Sequence, residues 1–102
     1  MKIKFLITGA SGMLGKSLMD QFKKKNYTFL APSSKELNLL NLSSIKKYLN
    51  NKKPNYIIHL AGYVGGIGAN MNDPIKFLHS NMLMGMNLID IAHKMEIKNF
   101  LN

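Results

Sequence analysis

Three glycines set three residues apart, Gly9, Gly12 and Gly15, are the part of this sequence best suited to chemistry, and that chemistry is the binding of a diphosphate. They lie in Thr8-Gly9-Ala10-Ser11-Gly12-Met13-Leu14-Gly15, directly after an apolar run and directly before an amphipathic one. At such a junction the first glycine permits the tight turn from strand to helix. The second lets backbone approach a pyrophosphate, and the third lets the helix pack closely on the strand. The helix then turns free N–H groups and the positive end of its dipole toward the phosphates. Glycines at this spacing also occur in purely structural turns. The strand before and the helix after are what favour a dinucleotide.

The second informative position is the end of the next apolar run, Ala31-Pro32-Ser33-Ser34-Lys35. A site specific for NAD usually places an acid there to bond the ribose 2′-hydroxyl. Here no acid appears before Glu36. Two hydroxyls and a lysine suit a 2′-phosphate better, so NADP is the expected cofactor. The alternative for this stretch is an ordinary solvated loop.

Other chemistry-bearing residues do not cluster. His59 is flanked by Ile58 and Leu60 inside an apolar run, which suits a hydrogen-bonded core histidine. His79 and His93 are not spaced as a metal-binding helical pair, and Asp20, Asp73 and Asp90 are dispersed, so no metal site is expected. Tyr48 and Lys52 are four apart on a helical stretch, where such residues share a face for no catalytic reason. Cysteine is absent, which excludes disulfides and thiolate chemistry and fits a cytoplasmic protein.

The elements that must position the glycine turn follow from periodicity. Residues 2–8 form a strand that becomes buried after Lys4. From Met13 to Lys25 the pattern is helical, with Leu14, Leu18 and Phe22 inward and Lys16, Asp20 and Lys24 outward. Residues 27–31 form a second strand, ended by Pro32. Asn41 or Ser43 caps a second helix, in which Leu42, Ile45 and Leu49 share a face and which stops before Pro54. Residues 55–60 form a third strand, and residues 61–72 a glycine-rich loop. Asp73-Pro74 starts a long helix reaching Lys94 or Met95. Residues 98–101 begin a fourth strand. Alternating strands and helices argue for a parallel sheet with helical crossovers. The expected fold is the N-terminal half of a Rossmann-like, doubly wound α/β domain with about four strands, spanning residues 1–102.

Two longer stretches carry a resemblance. With Gly9, Gly12 and Gly15, the chain resembles the extended short-chain dehydrogenase/reductase superfamily. Ser34-Lys35-Glu36-Leu37-Asn38-Leu39-Leu40-Asn41 and Val64-Gly65-Gly66-Ile67-Gly68-Ala69-Asn70 narrow the likeness to the GDP-L-fucose synthases, and Pro74, Phe77 and Asn81 continue it. That family epimerises and then reduces GDP-4-keto-6-deoxymannose with NADPH. The resemblance implies that Gly9, Ser11, Gly12, Met13 and Leu14 line the pyrophosphate. It places Ser33, Ser34 and Lys35 at the 2′-phosphate, Asn38 and Leu39 at the adenine, and Leu60, Ala61 and Gly62 at the nicotinamide ribose. Residues from Val64 through Gly65 and Gly66 to Asn70 would form a loop beside the nucleotide sugar, and Asn81 matches a helix asparagine of extended members. In extended members the long helix also helps form a homodimer.

The family's catalytic serine, Tyr-x-x-x-Lys pair, cysteine and histidine belong beyond the fourth strand, so the resemblance implies no catalytic residue within this chain. The Tyr48–Lys52 spacing lies on the wrong helix for that role. The expectation is a cofactor-binding part that lacks turnover by itself, with a truncated, non-catalytic nucleotide-binding fragment as the rival. An open sheet edge would make such a piece marginally stable or prone to associate.

The charge supplies one further rival. The net charge is +9, and every basic residue is lysine. A basic anion-binding or nucleic-acid-binding module is the reading this invites. The lysines are scattered and several sit at helix ends, where cations complement the dipole, so nucleic acid is not the expected partner. No apolar run approaches the roughly 18 residues of a membrane span.

Overall fold

The computed structural model describes residues 3–60 and 74–101. Among the described residues, four parallel strands alternate with three helices: β1 (Lys4–Thr8), α1 (Met13–Lys24), β2 (Thr28–Leu30), α2 (Leu42–Lys52), β3 (Tyr56–His59), α3 (Pro74–Lys94) and β4 (Asn99–Leu101). The sheet order is β2-β1-β3-β4. The chain steps from β1 to β2 in one direction, then returns past β1 to β3 and continues to β4. Right-handed crossovers therefore place α1 on one face of the sheet and α2 and α3 on the other. The fold is the doubly wound α/β arrangement expected from the sequence.

Strand register shows why both faces are apolar. Leu6 pairs with Leu30 and Ile57, and Ile57 with Phe100. All four belong to the core under α2 and α3, where Leu6, Ile45, Leu49, Ile57 and Leu88 are fully buried. The neighbouring positions, Phe5, Ile7, Phe29 and Ile58, belong to the other face, where they pack with Phe22, Leu18 and Met19 of α1. Phe5 gathers an aromatic cluster there, with ring centroids 4.8 Å from Phe22, 5.1 Å from Tyr56 and 5.8 Å from Tyr27.

Each helix ends with a left-handed residue that is not glycine: Asn26 (φ 58°), Lys53 (φ 48°) and Glu96 (φ 61°). After α1, the Tyr27 amide donates to the Phe22 carbonyl and the Asn26 amide to the Lys23 carbonyl. Ile97 and Glu96 repeat that pattern onto Ala92 and His93 after α3. These paired bonds satisfy carbonyls that the helix leaves open and turn the chain toward the next strand.

Some expectations need correction. Leu14 does not join the inward stripe of α1; it is 59% exposed at the helix's mouth. Among the methionines, Met84 and Met95 pack against the core. Met82 and Met86 instead lie on the outer side of α3. Asn41, not Ser43, caps α2, its side chain accepting from the Ser44 amide at 3.1 Å.

Candidate functional site

The glycine turn is built by two steric demands. Gly9 adopts φ 76°, a left-handed conformation that costs a residue with a Cβ about 1–2 kcal/mol. Gly15 sits in the first turn of α1, where a Cβ would lie 2.5 Å from Ala10 Cα and 2.6 Å from the Gly9 carbonyl oxygen. The close approach is thus between helix and turn, with Ala10 itself buried beneath. Gly12 stands between them at the N-cap in an extended conformation, its amide bonded to the Gly9 carbonyl at 3.2 Å.

The starts of α1 and α2 differ. Asn41 caps α2 with its own side chain. At α1 the cap is Gly12, which has no side chain to offer, and no acidic residue lies in the first turn. The amide groups at the mouth of α1 are therefore left for an external anion, to which the helix dipole adds attraction.

Beside this mouth lies a cavity of about 590 Å³. Thr8, Gly9, Ala10 and Ser11 form one wall, Lys16 and Met19 of α1 another, and the segment running from Ala31 through Ser33, Ser34 and Glu36 to Leu40 a third. Met84 reaches it from α3. The volume is that of a small-molecule pocket. Its place, at the carboxyl ends of the first two strands, is where doubly wound folds take nucleotides.

The third wall is internally braced. The Ser33 amide donates to Glu36 Oε1 at 3.2 Å, and the Glu36 amide donates to Ser33 Oγ at 3.3 Å. This reciprocal pair is a capping box closing a tight turn. Asn38 accepts from the Leu40 amide through Oδ1 at 3.0 Å. The Leu39 side chain is buried in the core, and its carbonyl accepts from Asn87 Nδ2 at 3.0 Å.

Behind the turn, Thr8 Oγ1 and His59 Nδ1 share a buried hydrogen bond of 2.7 Å, the donor being set by the imidazole tautomer. The Leu60 amide also donates to the Thr8 carbonyl at 2.9 Å. A Cβ on Gly85 of α3 would stand 3.4 Å from His59 Nε2. Burial pushes the His59 imidazole below its ordinary pKa. His59 is thus a core histidine tying the end of β1 to the end of β3.

Of the residues singled out from the sequence, the structure gathers Gly9, Ser11, Ser33, Ser34, Asn38 and Leu39 around one cavity. Gly12, Met13, Leu14 and Gly15 belong to the adjoining helix mouth rather than to the cavity's lining. Lys35 is exposed and does not line it. Leu60 packs on the α1 side of the sheet, and Asn81 lies half-buried on α3. Ala61, Gly62, Val64, Gly65, Gly66 and Asn70 lie outside the described residues. Tyr48 packs against the α2–α3 core, where burial and then the Glu36 carboxylate raise its hydroxyl's pKa. A tyrosine acting as a general base needs the opposite shift.

Three cavity residues escaped the sequence reading: Lys16, Met19 and Met84. Gly12, Lys16 and Met19 are nevertheless spaced to share one helix face. The Ser-x-x-Glu pattern of Ser33 to Glu36 was also a readable capping signal.

Fold, turn and cavity together define a doubly wound α/β domain with a diphosphate-type turn. Comparison with known proteins narrows this. The model of the NAD dependent epimerase/dehydratase family matches residues 5–102, and the chain belongs to that family. It is 53% identical over 98% of its length to the GDP-L-colitose synthase of Yersinia pseudotuberculosis, of which it covers 32%. It is 36% identical over 97% of its length to the GDP-L-fucose synthase of Azorhizobium caulinodans, again covering 32% of that protein. A solved GDP-L-fucose synthetase from Naegleria fowleri, bound to NADP, superposes with a TM-score of 0.79 at 29% identity. That match covers 96% of this chain and 30% of the other. The chain thus spans about a third of the length of these relatives.

Proposed function

We propose that this chain is the NADPH-binding part of an epimerase/reductase acting on a GDP-linked sugar, of the kind made by the GDP-L-fucose and GDP-L-colitose synthases it is similar to. The observation that carries the reading is the uncapped mouth of α1, held open by Gly9, Gly12 and Gly15 beside a cavity at the end of β2. The donor chemistry fits the cofactor. The amides of Met13 and Leu14, with the close backbone approach that Gly12 allows, suit the diphosphate, and Ser33 and Ser34 suit the adenosine ribose and its phosphate. Asn38 and Leu39 would border the adenine, and Leu60, Ala61 and Gly62 the nicotinamide ribose. Residues from Val64 to Asn70, with Asn81, would stand beside the nucleotide sugar.

When bound, the nicotinamide supplies the hydride for the reduction. What this chain's residues do is hold and orient. The family's Tyr-x-x-x-Lys pair has no counterpart in place here, so residues 1–102 act as a cofactor domain and have no turnover alone. Its place of action is the cytoplasm, in keeping with a chain without cysteine in which no described helix is long and apolar enough to cross a membrane.

Titration of the chain with NADPH and with NADH tests the reading. NADPH is expected to bind more tightly. Failure of both to bind overturns the proposal.

A homodimer through α3 belongs to the same proposal. Ile75, Leu78, Met82, Met86 and Ile89 form an exposed apolar stripe along that helix. The expected result in sedimentation equilibrium is a mass that rises with concentration. A constant monomer mass sinks the dimer and leaves the cofactor reading standing.

A further inference from the structure

We infer that Lys16, on the first turns of α1, is the cation that recognises the 2′-phosphate of the cofactor's adenosine, in place of Lys35. This inference rests on the NADPH reading above. Of the residues lining the cavity, Lys16 and Glu36 carry charge. Glu36 is turned to the Ser33 amide by the capping box, which fixes its carboxylate within its own turn. Lys16 is exposed, and among the described residues its ammonium has neither a hydrogen-bond nor an ion-pair partner.

Position on the helix assigns the part of the ligand that Lys16 meets. The diphosphate belongs beside Gly12 at the amides of Met13 and Leu14, at the very mouth of α1. Lys16 and Met19 stand one and two turns further along and line the cavity together with Ala31, Pro32, Ser33 and Ser34. The end of β2 is where doubly wound folds place the adenosine ribose. A long flexible side chain ending in a point charge is well suited to a phosphate there. Lys35 has the right charge, but the Ser33–Glu36 turn leaves it exposed and outside the lining.

The test is titration of the chain and its variants with NADPH, NADH and adenosine 2′,5′-bisphosphate. Lys16→Gln is expected to weaken NADPH and the bisphosphate by about tenfold or more, as loss of a charge-assisted contact does, and to change NADH by less than about twofold. Lys16→Arg should keep most of the NADPH affinity, and Lys46→Gln on α2 serves as the charge-matched control. The inference is overturned if Lys16→Gln weakens NADPH and NADH equally, if it weakens neither, or if Lys35→Gln produces the selective loss instead. Binding of NADPH by the unaltered chain with no selective Lys16 effect defeats this inference alone. Failure of the unaltered chain to bind either dinucleotide defeats the functional reading and this inference with it.

Discussion

The two faces of the sheet are built to different standards. Under α2 and α3, leucines and isoleucines from strands and helices interlock, and several are wholly buried. Among the described apolar side chains under α1, Ile7, Ala10 and Phe22 are buried, and the others are partly exposed rings and aliphatics. On that side Tyr56 and Leu101 are exposed, at 37% and 64%, because no described helix covers β3 and β4 there. The cause is topological. Two of the three crossovers travel in the same direction along the sheet and must lie on the same face. The lesson is that the well-packed face holds the fold, while the thinner face carries the glycine turn and the α1 wall of a cavity that spans the strand ends.

The largest expected effect probes packing. Leu49→Ala on the closed face should cost about 2–5 kcal/mol, the range for a fully buried leucine that leaves a cavity. Leu18→Ala on the α1 face should cost about 1 kcal/mol, since water already reaches that side chain. Urea unfolding of both variants measures the difference, and equal losses would break the comparison.

Gly15→Ala comes next. Alanine is the better helix former by about 1 kcal/mol, so an innocent site would gain stability. Here the added methyl meets the Ala10 backbone, and a net loss of about 1–3 kcal/mol is expected, with loss of dinucleotide binding. A more stable variant with unchanged binding would remove the steric account of the turn.

The Thr8–His59 bond lies on the α2–α3 face, beside Gly85, and pH tests it. Burial lowers the folded-state pKa of His59 below its ordinary value of about 6.5. Below that value the unfolded chain takes up a proton that the folded chain resists. The contribution of His59 is therefore fully present above about pH 6.5 and is lost as pH falls further, by at most about 1.4 kcal/mol per pH unit. Unfolding midpoints measured between pH 7.5 and 5 should show this slope, and His59→Gln should flatten it.

The smallest effect concerns the helix ends that feed both faces. Glu96→Gly relieves a left-handed residue, and a gain of about 1 kcal/mol in thermal or urea unfolding is expected. A loss would mean that the Glu96 side chain contributes more than its backbone costs.

Much of this architecture was legible beforehand. Short apolar runs separated by helical periodicity indicated parallel strands, because each strand must be apolar on both sides. The spacing of Gly9, Gly12 and Gly15 indicated the turn, because only a residue without a Cβ fits at Gly9 and Gly15. Periodicity failed at the cavity. It sorts residues into inward and outward, so it classed Lys16 as solvent-facing when the neighbouring strand end turns that surface into a wall. It also treated Ser33, Ser34 and Lys35 as one stretch, although the capping box directs Ser33 and Ser34 to the cavity and leaves Lys35 outside it.

By itself, then, the sequence determined the local elements, the left-handed turn at Gly9 and the two-sided sheet, since these depend on sterics and burial within a few residues. Tertiary structure alone decided that α2 and α3 share a face, that Leu39 is core and that Lys16 borders the cavity. Those outcomes depend on which distant segments the crossovers bring together, and spacing along one chain carries no record of that.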